Sequence, residues 1–497
     1  MSSPEVGTSV AAPQSEQQRR DAEQLQRLGY RQELRRTMSM FSNFAVAFSY
    51  ISATTGIFAL FAFGLGTGGP AFIWSWPIVI FGQLLVALVF AELASHFPLA
   101  GSVFQWTKRV AGRDVAWFDG WIYLVAQIAT IASVDFVVPP IIASLLGLDA
   151  TNTTLLIVIA LVVLVLTTVV NMVGVRLLAI INNIGVVAEL IGMLVLGIVL
   201  LVRAQHPISF IVSTGGTEGN GSYLPVFLAA MLMSLFVVYG FDTAGTLAEE
   251  THNPSRAVPR AMLLALIGSF FIGGLFLLGA VLAIPQDGLA KTMASPTALE
   301  DIIQEALPGV SNIFLVIVTI AVSVCGLSVQ ANAARLLFSM GRDREVPGGQ
   351  LFGRVSPTLH TPVWAILATA VLAAALIFLT QVEAVLVAVT VVLIYLAYLL
   401  CTASALVARL RGTYPDTQHP AAFTLGGLGL VINVLAVVWG AAMIINLGWY
   451  RPAPTLPFYL NAAVPIFVPL IIIIGLIYYY GWQKRRAAVP VEQESAS

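Results

Sequence analysis

The sequence predicts an all-α membrane protein built on twelve transmembrane helices. Of its 497 residues, 58% are hydrophobic and only 10% charged, and the mean hydropathy is +0.90, more apolar than the surface of a soluble chain of this length can carry. Apolar stretches long enough to cross about 30 Å of hydrocarbon recur along the whole chain. None of them shows the two-residue alternation over about ten residues that a barrel strand needs.

Taken in order, the spans are predicted at about 41–66, 71–95, 115–146, 153–173, 178–202, 225–249, 260–285, 311–340, 362–380, 384–408, 424–447 and 458–480. The tail to about residue 27, rich in Gln, Glu, Arg and Ser, reads as disordered, and "QELRR" as an interfacial helix leading into the first span. Residues 28–408 form the expected core, 424–480 hold the last two helices, and 481–497 are a second tail. No cleavable leader is expected, because the first 36 residues contain no apolar run before a small-residue cleavage site.

Lysine and arginine set the orientation. With the N-terminus inside, 21 of the 24 basic residues fall on cytoplasmic stretches, and only Arg203, Lys291 and Arg451 fall outside. The sequence therefore predicts a multi-pass protein of the cytoplasmic (inner) membrane with both termini inside. Cys325 and Cys401 lie within predicted helices and suggest neither a disulfide nor a metal site, and the five histidines share no ligand spacing. No cofactor, metal or nucleic-acid partner is expected. The absence of a G-x-x-x-x-G-K-[ST] loop argues against ATP-driven chemistry, and no Ser/His or Cys/His arrangement suggests an enzyme.

Two spans carry interruptions. The sixth contains "GFDTAG", in which Asp242 stands between Gly240 and Gly245. A carboxylate there costs a few kcal/mol in lipid unless it faces protein or water, and glycines favour a local unwinding that exposes backbone groups to a cavity. The first contains "SYISATTGIF", where Ser52, Ala53, Thr54, Thr55 and Gly56 form a polar break. Discontinuous helices at positions one and six are the pattern of an inverted five-plus-five repeat, here about 41–202 and 225–408, with half-helix ends suited to a small zwitterion. Ordinary packing glycines and an aspartate bonded to a neighbouring helix are the plainer alternative. Two further intramembrane acids, Glu189 in the fifth span and Asp135 before "FVVPP" in the third, are candidate proton carriers. A Glu189 salt-bridged to a basic residue, and an Asp135 paired with Gln127 or backbone, are the structural alternatives.

Four stretches carry a family resemblance: "LGYRQELRRTMSMFSNFAVAFS", "AELASHFPLAGSVFQW", "GFDTAGTLAEETHNPSRAVPRA" and "NAARLLFSMGRDREVPG". Through them, over about residues 28–485, the chain resembles the amino acid–polyamine–organocation superfamily, nearest to its bacterial and fungal permeases for amino acids, 4-aminobutyrate and choline. The facilitator superfamily, with its Gly–Asp–Arg-rich loop after the second helix, fits less well. The resemblance implies alternating access around spans one and six, with spans three and eight beside them. It implies a substrate carboxylate on the backbone of Ser52–Gly56 and an amine near Tyr239, Gly240, Phe241, Asp242 and Gly245, with Phe236 as an aromatic gate. "SATTG" departs from the family's Gly-Ser-Gly type of break, which leaves room for choline, ethanolamine or a polyamine. A proton is the expected coupling ion. Sodium is the competitor, less favoured because Ser323 and Ser328 form no paired hydroxyls on the eighth span. A non-transporting amino acid sensor is a third reading, and a homodimer through spans eleven and twelve stays open. Glu249, Glu250, Arg256, Arg260, Arg335, Arg342, Asp343 and Arg344 read either as an inside gate or as a solvated face, and Glu92 as structural.

Overall fold

A computed structural model describes residues 16–378, 383–415, 421–451 and 458–487. Among them ten helices are long and apolar enough to cross a membrane. In order these are Met40–Gly68, Pro70–His96, Arg113–Leu145, Thr153–Val173, Val175–Val202, Pro254–Leu282, Ser311–Arg342, Leu386–Leu410, Gly426–Gly448 and Ala463–Gln483. Shorter apolar helices, Tyr223–Val237 and Val363–Ile377, stand where the sixth and ninth spans are predicted. The predicted span numbers, one to twelve, serve as labels for these helices. No strand occurs among the described residues, only one isolated bridge between Met38 and Thr251.

Burial separates core from periphery. In span one 83% of the apolar window is inside the protein, against 22% in span twelve. Spans one, two, three and ten supply the most interior windows, whereas Ile184, Ile191, Phe271 and Val438 on spans five, seven and eleven point apolar side chains outward, as lipid-facing helices do. Small residues let the central helices approach. A Cβ on Gly273 of span seven would lie 2.4 Å from Cζ2 of Trp76 on span two, and one on Gly279 would lie 2.7 Å from the carbonyl of Gly197 on span five.

One mouth of the bundle is closed by charge pairs whose acids are buried, although Arg256, Arg260 and Arg344 of the same stretches stay exposed. Arg335 and Glu250 pair at 3.2 Å with both side chains fully buried. Arg342 forms a fork on Glu249 at 2.8 and 3.0 Å, and Glu249 also accepts the Ala100 N–H. Lys108 pairs with Asp343 at 2.8 Å and Arg113 with Glu345 at 2.5 Å. Glu92, as expected of a structural acid, accepts from Arg409, the Leu425 N–H and the Tyr414 hydroxyl.

The N-terminal segment lies across the same mouth, and here the expectation of disorder to residue 27 needs correction. Residues 1–15 lie outside the described residues, but Glu16–Arg27 is a helix. Its polar composition hides an apolar edge, for Leu25 and Leu28 are buried together with Leu34 and Met38 further on. Asp21 accepts the Asn253 N–H at 3.0 Å, Gln24 bonds Ser255, and the Arg342 guanidinium sits 4.1 Å over the Tyr30 ring. At the other end, residues 481–487 continue span twelve helically, and 488–497 lie outside the described residues.

Removing one partner of a buried ion pair leaves the other uncompensated, at a cost of about 3–5 kcal/mol. Arg335→Ala should therefore lower the melting temperature of the purified protein markedly. Arg335→Met combined with Glu250→Leu should recover most of that loss, as read from thermal unfolding in detergent.

Candidate functional site

Span one is two helices, Met40–Ile51 and Ala53–Gly68, joined at one residue. Ser52 adopts φ 30° and ψ 86°, a left-handed conformation that a non-glycine residue holds only where its surroundings impose it. Its side chain supplies part of the reason, because the Ser52 hydroxyl oxygen caps the second helix by accepting the Thr55 N–H at 3.2 Å. The interruption is thus narrower than the predicted stretch from Ser52 to Gly56. Ala53, Thr54, Thr55 and Gly56 form the first helical turn. Gly56 serves contact instead, since a Cβ there would lie 2.3 Å from Cγ2 of Val237 on span six.

Span six breaks more widely. Tyr223–Ala230 and Leu232–Val237 lead into a non-helical stretch, after which Thr243–Thr246 makes a single turn. Gly240 has φ 85°, and a Cβ there would sit 1.8 Å from Cδ1 of Tyr50, the second residue before the break in span one. The two breaks therefore meet face to face. The freed Gly240 N–H donates to the Tyr398 hydroxyl oxygen at 2.9 Å. Gly245 has a packing role, because Trp106 would lie 2.4 Å from its Cβ.

Between the breaks lies a buried cavity of about 10 Å³, room for about one water molecule. Tyr50, Thr55, Gly56, Thr130, Phe236, Tyr239 and Cys325 line it, with Ile51, Val134 and Val237. Tyr239 meets both Tyr50 and Phe236 edge-on at 6.1 Å between ring centroids. No charged side chain is among the lining residues. Of the predicted site residues, Thr55, Gly56, Phe236 and Tyr239 are on the wall, while Ser52, Ala53, Thr54, Gly240, Phe241, Asp242 and Gly245 stand outside the lining. Phe241 packs between Phe90 and Tyr398.

Asp242 is fully buried and hydrogen-bonded by hydroxyls. Ser102 donates at 2.7 Å, Tyr123 at 2.7 and 2.8 Å to the two oxygens, and Tyr398 donates as well. Asn332 of span eight in turn donates to the Tyr123 hydroxyl at 3.2 Å. The carboxylate so ties span six to spans three and ten and to the short helix Ser102–Ala111. Its desolvation is offset by hydroxyl donors.

Glu189 of span five is brought to the break in span one. Its Oε1 accepts the Ser52 hydroxyl at 2.9 Å and the Thr54 N–H at 3.3 Å. Among the described residues it takes part in no ion pair, so the salt-bridged alternative does not hold. Asp135 ends the helix Arg113–Asp135, and Val138–Leu145 starts afresh with Pro139 and Pro140 in its first turn. Asp135 Oδ2 is buried without a hydrogen-bond partner, and Gln127, its expected companion, accepts the Tyr50 hydroxyl at 2.6 Å instead. Ser323 and Ser328 donate to the Thr319 carbonyl and to Asn182 Oδ1. No group of three or more His, Cys, Asp or Glu side chains placed to hold a metal occurs among the described residues.

Sequence reasoning missed Tyr50, Tyr123, Tyr398, Ser102, Thr130 and Cys325. Tyr50 adjoins the interrupted motif and was within reach of it. Tyr123 and Tyr398 meet Asp242 from 119 and 156 positions away, and no local pattern marks them. The Gly240 contact yields a sharp expectation. Gly240→Ala should reduce substrate uptake more than about tenfold through the clash with Tyr50, whereas Gly427→Ala, whose Cβ meets nothing within 4 Å, should leave uptake unchanged; radiolabelled uptake in cells at matched expression reads both.

A family model described as amino acid permease matches residues 38–477. The chain is 30% identical over 448 residues to "Amino-acid permease BAT1" of Arabidopsis thaliana, covering 84% of this chain and 86% of the relative. It is 29% identical to a BAT1 homolog of Oryza sativa subsp. japonica, over 85% of this chain and 86% of that one. A GABA-specific permease of Saccharomyces cerevisiae is 25% identical over 71% of this chain and 65% of its own length. These relatives are permeases, not enzymes, and the chain belongs to the amino acid permease family.

Proposed function

We propose that this permease imports a small amino acid or a 4-aminobutyrate-like zwitterion together with a proton, by alternating access across the cytoplasmic membrane. The contact between Tyr50 at the break in span one and Gly240 at the break in span six is the observation that carries the reading. Two broken helices that meet around a closed aromatic cavity are what a small-solute site between rocking halves requires. In this reading twelve spans form a five-plus-five inverted repeat, about 41–202 and 225–408, and spans eleven and twelve stand apart, available to lipid or to a second copy. The bias of lysine and arginine supports a cytoplasmic position for both termini.

The substrate's carboxylate is assigned to Ser52, Ala53, Thr54, Thr55 and Gly56, where the second half of span one begins. Its amine is assigned to the side of Phe236, Tyr239, Gly240, Phe241 and Gly245, drawn by Asp242 through the surrounding hydroxyls. Entry of any amino acid requires Phe236 and Tyr239 to move, because the cavity of about 10 Å³ is far too small for one. Glu189 is the proposed proton carrier and Asp135 the second choice, with sodium the less favoured ion.

A second reading has its own support. The aromatic wall with no charged residue suits a substrate cation such as choline, ethanolamine or a polyamine. Uptake into proteoliposomes decides between them. The proposal expects an inward proton gradient to drive accumulation of 4-aminobutyrate or a small amino acid; accumulation of choline or putrescine alone would reverse the order, and none at all would overturn transport. Asp242→Asn removes the charge from several hydrogen bonds worth about 1.5–3 kcal/mol each, so uptake should fall about tenfold or more with the protein still folded in the membrane. Normal uptake kinetics would remove Asp242 from the site.

A further inference from the structure

The start of a sixteen-residue helix, Ala53–Gly68, has backbone N–H groups without helical partners and the positive end of the helix dipole, which together favour an anion. In this protein that position already holds one. The Glu189 carboxylate accepts the Thr54 N–H at 3.3 Å and the Ser52 hydroxyl at 2.9 Å. The buried Thr54 side chain belongs to the same turn. The next residue, Thr55, is on the cavity wall. The resident carboxylate thus sits one residue from the place where a substrate would arrive.

Among the described residues the neighbours of Glu189 offer no positive charge. Spans one, five, seven and eight pack together here, and span four borders span five. Between Ala261 and Leu282 span seven has no titratable residue, and neither does span four between Thr153 and Val173. Span eight presents Cys325, and Asp135 of span three stands near the same thiol. A substrate carboxylate at this helix start would therefore meet an ionised Glu189 with nothing to balance the pair, and like charges at one site exclude double ionisation.

We propose that Glu189 is an internal stand-in for the substrate's carboxylate, displaced when it takes up a proton. One proton from water adds to a Glu189 carboxyl oxygen. The neutral acid releases the Thr54 N–H, and the substrate's carboxylate takes that donor in its place. One negative charge leaves the helix start and one arrives, so a proton enters with each zwitterion. On the return, the proton and substrate depart and Glu189 re-engages Ser52 and Thr54, which lets the unloaded protein close around its own carboxylate. The inference rests on the zwitterion reading above and adds to it the reason why carboxylate and proton bind as a pair.

The test uses the purified full chain in detergent with 4-aminobutyrate, the twenty standard amino acids, choline and putrescine. Binding of the tightest carboxylate-bearing ligand is followed from pH 5.5 to 8.5, by calorimetry in two buffers of different ionisation enthalpy. In the native protein, affinity should fall towards tenfold per pH unit at the alkaline end, with close to one proton taken up per ligand. In Glu189→Gln the carboxamide no longer competes as an anion, so affinity should vary less than about twofold across the range and proton uptake should vanish. Native binding without proton uptake overturns the inference, and that measurement needs no variant. A Glu189→Gln protein that keeps the native pH slope also overturns it, while leaving the zwitterion reading intact. Binding of choline or putrescine with no carboxylate-bearing ligand overturns both.

Discussion

A helix broken inside a membrane releases backbone N–H and C=O groups that hydrocarbon cannot satisfy, at several kcal/mol each. Everything at the centre of this protein follows from meeting that demand twice, in spans one and six. In span one the Ser52 side chain caps the new helix start and Glu189 takes the next amide. In span six the Gly240 N–H finds the Tyr398 hydroxyl, which is itself committed to Asp242. The Tyr50 ring then lies against Gly240, where only hydrogen fits, so the two breaks can approach closely. A left-handed serine costs about 1–3 kcal/mol and persists because these partners fix it.

The acids show how one residue type takes different work from its surroundings. Asp242 has hydroxyl donors and, among the described residues, no ion-pair partner, and it ties spans three, six and ten. Glu189 has a hydroxyl and a backbone amide and ties span five to span one. Glu249 and Glu250, a few residues further along span six, have arginine partners and close one mouth of the bundle. A motion that opens that mouth must part Arg335 and Arg342 from those acids and lift the segment around Tyr30, whereas a motion that opens the other need not disturb them. Closure and the proposed substrate site are thereby linked through one interrupted segment, since Gly240, Asp242, Glu249 and Glu250 follow one another within eleven residues.

Much of this was legible in the sequence, and the part that was not has an identifiable cause. Apolar runs mark spans because lipid acts on every residue of a run, so local composition suffices. "GFDTAG" announced a break for the same reason, as glycines and an aspartate are conspicuous in lipid. The width of the break in span one was misjudged because "SATTG" can cap a helix as readily as unwind one, and the Ser52 side chain chose the former. The charged ends of spans six and eight divide between the two readings, since Glu249, Glu250 and Arg335 are buried in ion pairs while Arg256, Arg260 and Arg344 are exposed. The segment Glu16–Arg27 reads as disordered from composition because it holds a single leucine, Leu25, and that residue is buried only once the helix docks on the bundle. The partners of Asp242 come from three distant elements, which composition cannot connect.

The central claim is that the space between the two breaks is the substrate pathway, open to each side in turn. Cys325 lines that space, while Cys401 is buried in span ten outside it. In a Cys401→Ser background reconstituted into liposomes, the rate at which a membrane-impermeant thiol reagent modifies Cys325 can be measured from either side. The account predicts modification from both sides, slowed by saturating substrate, because the cavity must connect to each aqueous phase during the cycle. A Cys325 that stays unmodified from both sides while the same preparation transports would contradict it, and would place the pathway elsewhere in the bundle.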